Sequence, residues 1–187
     1  RTVVLDLDLR KPKIAQYFNI DNKKGVVNYL INETTIEDIV YATEFENLDV
    51  IVSGPVPPNP SELLMNQRLD ELLDELKKRY DYIVIDSPPM GLVTDSLELA
   101  KHVDATLYIV RHKYTHKNML SFVNDKYQRG EIKHISLILN DYMEGRGYGY
   151  SYGYGYNYGY GSYGNGYHEH VKKKSFIKRI KNKFKSN

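Results

Sequence analysis

The sequence predicts an α/β fold, a doubly wound and mostly parallel sheet. Three observations predict it. Short runs of Val, Ile and Leu recur through the first 144 residues and are nearly continuous rather than alternating, as in strands covered on both faces. Segments with helical periodicity separate them, and strands alternating with helices imply parallel crossover units. After residue 144 the aliphatic runs stop and the composition changes abruptly. The predicted organisation is therefore one domain over 1–144, a Tyr/Gly-rich arm over 145–167 and a basic tail over 168–187.

The elements follow in order. Thr2–Leu9 reads as the first strand. Gly25–Ile31 and Thr35–Val40 read as short helices, the second capped by Thr34 or Thr35. Leu48–Val52 is the second strand, and Ser53–Leu64 is a proline-rich loop with a restricted backbone. Gln67–Lys78 sets Leu69, Leu72, Leu73 and Leu76 at i, i+3, i+4 and i+7, a helix with one apolar stripe. Tyr82–Asp86 is the third strand. Thr94–His102 is a helix with Thr94 or Asp95 as its cap. Ala105–Val110, a weaker helix over Thr115–Gln128, and the strand His134–Asn140 complete the domain.

Charge divides along the same boundary. Residues 1–144 carry 17 Lys and Arg against 23 Asp and Glu, a net of −6; residues 145–187 carry 9 against 1, a net of +8. A basic arm suits an anionic lipid surface or the acidic body of another copy. Nucleic acid is not expected, since no recognisable binding module accompanies the charge. There is no cysteine, which excludes disulfides and thiolate metal sites and fits a reducing compartment. No apolar run approaches the ~20 residues of a membrane span. The chain opens inside a strand without an initiator Met, as a fragment would.

The arm holds nine tyrosines among nine glycines in 23 residues: Tyr148, Tyr150, Tyr152, Tyr154, Tyr156, Tyr158, Tyr160, Tyr163 and Tyr167. It has no aliphatic residue and no helical period, so it reads as a disordered display of phenol hydroxyls. Such a tract is either a set of phosphate acceptors or an adhesive aromatic segment. In the tail, Phe176, Ile177, Ile180 and Phe184 stand among eight Lys and Arg over 171–187, a spacing that suits a short amphipathic helix or a solvated tail.

In doubly wound sheets, ligands bind beyond the carboxyl ends of the strands. There the first strand carries Asp6 and Asp8, two apart and predicted to share a face. The third strand ends at Asp86. Carboxylates ending buried strands are costly unless hydrated, paired or set against a cation. An Asp closing an apolar strand suits Mg²⁺ held through water, the alternative for Asp86 alone being a cap on the following turn.

The motif VVLDLDLRKPK resembles the Walker A′ element of bacterial protein tyrosine kinases, and YDYIVIDSPP resembles their Walker B element. SGPVPPNPSELL, from Ser53 to Leu64, is similar to their proline-rich loop, and the Tyr-rich end to their autophosphorylation cluster. The resemblance implies a P-loop ATPase of the deviant-Walker type, using ATP and Mg²⁺. It would phosphorylate its own tyrosines between subunits of a ring-shaped homo-oligomer and regulate capsular or exopolysaccharide export. The implied location is the cytoplasmic face of the bacterial inner membrane. The implied partners are the polysaccharide polymerisation and export machinery and a tyrosine phosphatase. One part of the pattern is missing: no G-x-x-x-x-G-K-[ST] occurs, so the phosphate-cradling loop is expected upstream of Arg1 and the sheet is incomplete at its amino end.

By this resemblance Asp6 and Asp8 are the Walker A′ pair and Asp86 is Walker B. Asp8, nearer the open strand end, is the chosen base for the phenol, with the choice between Asp6 and Asp8 close. Asp6 and Asp86 would orient Mg²⁺ and its waters. Arg10 and Lys11 are candidates for phosphate or interface contact, or solvated cations beside two acids. Asn140 is placed against the adenine by related ATPases, its alternative being a turn-forming Asn. Asp95 reads as a helix cap more than as a site residue. The competing functions are a positioning or partitioning ATPase of the same superfamily and a non-catalytic phosphoacceptor scaffold.

Overall fold

The structure is a computed structural model and describes residues 1–91 and 94–142. The tyrosine arm and the basic tail lie outside the described residues. Strand β1 (Thr2–Asp6) is the centre of a four-stranded sheet with β2 (Val40–Ala42), β3 (Leu48–Ile51) and β4 (Tyr82–Asp86) in the order β2-β3-β1-β4. β1 runs parallel to β3 and to β4, and only β2 is antiparallel. A second sheet pairs β5 (Thr106–Arg111) with β6 (Ile135–Asn140), also parallel. The predicted α/β fold with a mostly parallel sheet is thus present. Among the described residues β4 pairs only with β1 and β5 only with β6.

Helices are α1 (Ile14–Tyr17), α2 (Val26–Leu30), α3 (Pro60–Leu64), α4 (Gln67–Arg79), α5 (Asp95–Leu99) and α6 (Lys117–Gln128). The leucine stripe of α4 works as its spacing predicts: Leu69, Leu72, Leu73 and Leu76 are all buried. They pack with Val3, Leu5, Leu7, Leu30, Ile39 and Ile51 into the main core. Each such side chain contributes about 1.5–3 kcal/mol by leaving water. The Asn66 side chain accepts the Arg68 N–H at 3.0 Å and caps the helix start. Lys77, Lys78 and Arg79 in its last turn face the negative end of the helix dipole. A smaller core gathers Met90, Ala100, Val123 and Ile132 beneath the second sheet.

Several expectations are corrected. Residues 35–40 are not a helix. Asp38 Oδ2 accepts hydrogen bonds from the Thr34 and Thr35 hydroxyls at 3.0 and 3.2 Å, which closes a turn there, and Val40 then enters an edge strand. The proline-rich loop ends in a helix, α3, with Pro60 in its first turn, where a missing N–H costs nothing. β1 stops at Asp6, so Asp8 lies beyond the strand and the shared-face argument does not place it. The later strands are not covered on both faces: Val84, Ile109 and Leu139 are each more than half exposed.

The end of β3 is stapled to the start of α2. Val26 N–H donates to the Val52 carbonyl at 2.9 Å and Val27 N–H to that of Ser53 at 2.8 Å. A Cβ on Gly25 would stand 2.2 Å from the Val52 oxygen and 2.4 Å from the Gly54 nitrogen, so only glycine fits. Gly54 has φ +82°, and Asn22 holds its backbone on both sides, accepting its N–H at 2.9 Å and donating to its carbonyl at 2.8 Å. The proline-rich loop therefore leaves the sheet from a fixed point.

Candidate active site

Asp6 and Asp86 are direct partners across the β1–β4 ladder, each at the last residue of its strand. Leu7 N–H donates to the Asp86 carbonyl at 2.9 Å and extends the pairing past both. Asp6 is fully buried and Asp8 nearly so. One Asp6 oxygen, Oδ2, accepts the Ile14 N–H at 3.2 Å at the start of α1. The other, Oδ1, is buried with no hydrogen-bond partner among the described residues. Asp8 Oδ1 accepts the backbone N–H groups of Arg10 and Lys11 at 3.3 and 3.0 Å.

The electrostatics follow from this crowding. Burial pushes the Asp6 carboxyl up to about 7, and the charges of Asp86 and Asp8 add to the rise against the Ile14 N–H. Burial also raises Asp86, and the Asp8 charge raises it further, against the Ser87 N–H. Asp6 and Asp86, partners at one sheet edge, are thus both shifted toward the protonated form. An orphaned oxygen beside a second strand-end carboxylate is a site that a cation would complete. Among the described residues no three His, Cys, Asp or Glu side chains stand close enough to hold a metal by themselves. The donor set therefore fits an ion that keeps most of its oxygen ligands from water and phosphate, as Mg²⁺ does.

Arg10 goes elsewhere than its sequence context suggests. Its Nε donates to Asp95 Oδ2 at 2.8 Å and an Nη donates to the Ser61 hydroxyl at 2.8 Å. Ser61 in turn donates to Asp95 Oδ1 at 2.7 Å. Asp95 is therefore not the cap of α5; the cap position is Thr94, whose side chain makes no capping bond among the described residues. Sequence reasoning missed Ser61 altogether. Its signal was the serine inside the PPNPSELL motif.

Asn140 is not brought to the three aspartates by any strand pairing. It ends β6 in the second sheet, is exposed, and its Oδ1 accepts the Asp141 N–H at 2.8 Å. Among the described residues a concavity of about 420 Å³ lies at the opposite, amino end of the strands, lined by Arg1, Glu37, Val40, Arg79 and Tyr80. Parallel sheets bind ligands at their carboxyl ends, so the aspartate edge is the candidate site and this concavity is not.

A family model described as an AAA domain matches residues 1–103, more than half of the chain. The chain belongs to the AAA domain family. Within it, the region carrying Asp6, Asp8 and Asp86 is similar to bacterial tyrosine kinases. The putative tyrosine-protein kinase CapB of Staphylococcus aureus is 34% identical over 140 residues, covering 75% of this chain and 61% of CapB. This AAA domain superposes on the kinase domain of VpsO with a TM-score of 0.70 at 38% identity, covering 76% of this chain and 70% of that one. It superposes on the kinase domain of Escherichia coli ETK with a TM-score of 0.75 at 30% identity, covering 83% and 61%. The septum site-determining protein MinD of Pyrococcus horikoshii shares the fold at 21% identity and a TM-score of 0.57. The chain spans 61% of the length of CapB and 19% of the tyrosine-protein kinase ptk of Acinetobacter johnsonii.

Proposed function

We propose that this AAA domain is an ATP-dependent protein tyrosine kinase that phosphorylates the tyrosines of its own arm between subunits and so regulates polysaccharide export. The observation that carries the reading is the pairing of buried Asp6 with half-buried Asp86 at the carboxyl edge of the sheet, with buried Asp8 two residues on, in a chain whose relatives are named tyrosine kinases. A tyrosine hydroxyl has a pKa near 10 and is a poor nucleophile at neutral pH. The Asp8 carboxylate accepts its proton as the phenol oxygen bonds to the γ-phosphorus of ATP and the bond from that phosphorus to the bridging oxygen breaks, releasing ADP. Two backbone N–H groups aim that carboxylate. Asp6 and Asp86 would hold Mg²⁺ largely through water, and the bound ion supplies charge neutralisation to the phosphoryl oxygens. Asn140 serves the adenine in this reading, and the acceptors are Tyr148 to Tyr167.

The basic tail favours a place at the cytoplasmic face of an anionic inner membrane, in a homo-oligomeric ring served by a tyrosine phosphatase. No described helix is long and apolar enough to cross a membrane.

The test of transfer between subunits is a mixing experiment. One copy, joined to a Walker A segment, ends at Glu144 and has no acceptor. The other carries Asp8→Asn with its arm intact. Phosphotyrosine on the second copy is the expected result. Phosphate absent from the second copy, while a single intact copy labels itself, would restrict the reaction to one chain. ATP hydrolysis with no phosphotyrosine in any mixture would favour the positioning ATPase.

A further inference from the structure

We infer that Arg10, Asp95 and Ser61 form a positioning clamp that sets the Asp8 carboxylate against α3 and α5, so that Arg10 serves the site without binding nucleotide. The inference rests on the kinase reading only for what the clamp is used for. Its geometry stands on the contacts themselves.

Arg10 lies two residues past Asp8, and its backbone N–H already holds the Asp8 carboxylate. Its side chain then joins two segments distant in sequence. The Asp95 side chain is 1% exposed and that of Arg10 19%, so this ion pair is withdrawn from water. A buried charge pair is costly to break, because removing one partner leaves the other desolvated and unpaired. The guanidinium fork meets both Asp95 oxygens, at 2.8 and 3.4 Å, which fixes orientation as well as distance. Ser61 closes the triangle by accepting from Arg10 and donating to Asp95.

The three residues sit on the three segments that frame the aspartate edge. Arg10 follows β1 and the two Walker A′ acids. Ser61 is in α3, the end of the proline-rich loop. Asp95 opens α5, reached from Asp86 through the loop after β4. α3 and α5 touch each other, and Arg10 binds both. A base must stand within hydrogen-bond reach of the phenol, and an error of about 1 Å in a reacting group costs on the order of 100-fold in rate. A clamp on the residue that aims Asp8 is placed to prevent that error. Arg10, Asp95 and Ser61 are positioning residues in this account, not catalytic ones.

The test uses Asp95→Asn, Ser61→Ala, Arg10→Gln and Arg10→Lys. Hydrogen exchange on the chain itself reads the clamp without activity. Asp95→Asn is expected to lower protection together in residues 9–13, 60–64 and 95–99, leaving α4 unchanged as the control for folding. Loss confined to 95–99 would overturn the clamp. Kinetics of the chain joined to a Walker A segment read its use. Arg10→Gln is expected to lower kcat at least tenfold with the KM for ATP unchanged, and Arg10→Lys to recover part of it. A raised KM with intact kcat would overturn the inference, because Arg10 would then be binding nucleotide. Linked loss of protection without any phosphotyrosine in the unmutated protein would sink the kinase reading and leave the clamp standing.

Discussion

Replacing Asp6 by asparagine is expected to stabilise the chain at pH 8 and to do little for it at pH 5. Asp6 binds its proton more tightly in the folded state, where its pKa is about 7, than in the unfolded chain near 3.8. Below pH 3.8 the group is protonated in both states and costs nothing. As the pH rises the unfolded chain releases the proton first, so stability falls until the folded group also ionises above 7. Linkage puts the cost at about 1.7 kcal/mol at pH 5 and about 4 kcal/mol at pH 8. Asparagine keeps an oxygen for the Ile14 N–H but leaves a buried amide donor unpaired, a penalty of about 1–3 kcal/mol at either pH. The benefit of Asp6→Asn should therefore be about 2.5 kcal/mol larger at pH 8 than at pH 5. Urea unfolding of both proteins at the two pH values, without divalent cations, measures it. Equal differences at both pH values would refute the reasoning, because Asp6 would then share its pKa between the folded and unfolded states. The stability gained is expected to accompany loss of function, as is common where a site stores unfavourable charge.

Four further outcomes follow from the same account. Gly25→Ala should destabilise by at least about 1–3 kcal/mol, because its Cβ meets backbone atoms of Val52 and Gly54 that cannot rotate aside; a melting temperature equal to wild type would show that the staple yields. A chain ending at Glu144 should melt within a few degrees of the whole, since the arm has no aliphatic side chain to bury. A large loss of stability would mean that the arm packs on the body. Asp86→Asn should weaken Mg²⁺-dependent nucleotide use, and an unchanged Mg²⁺ requirement would remove Asp86 from that role. Phosphorylation should move the assembly from oligomer toward monomer: each phosphotyrosine adds about −1.5 to −2 charge, so about five cancel the +8 of residues 145–187 that attracts the −6 body. Light scattering at low and high salt checks this, and equal masses throughout would end the electrostatic switch.

What was legible in the sequence was whatever local pattern alone decides. The leucine stripe of α4 and the apolar runs of β1, β3 and β4 appear where their spacing and composition put them. The strand-end aspartates were legible as chemistry because three carboxylates gather at the ends of two apolar runs, where a turn cap explains at most one of them. The rest depended on partners far along the chain. Asp95 carries the composition of a helix cap, and nothing local says that an arginine 85 residues earlier will claim it. β2 is a three-residue edge strand that exists only because β3 offers it an open side. The turn at residues 35–39 went to Asp38, whose side chain competes with the helix that the surrounding pattern favours.

The central claim is tested most directly by mapping phosphotyrosine by mass in the chain joined to a Walker A segment, after incubation with ATP and Mg²⁺, beside the same protein carrying Asp8→Asn. The account predicts phosphate on several of Tyr148 to Tyr167 in the first and near-complete loss in the second, with both proteins equally folded. Near-normal phosphotyrosine in Asp8→Asn would remove Asp8 from the mechanism, and consumption of ATP with an unmodified arm would contradict the assignment as a tyrosine kinase.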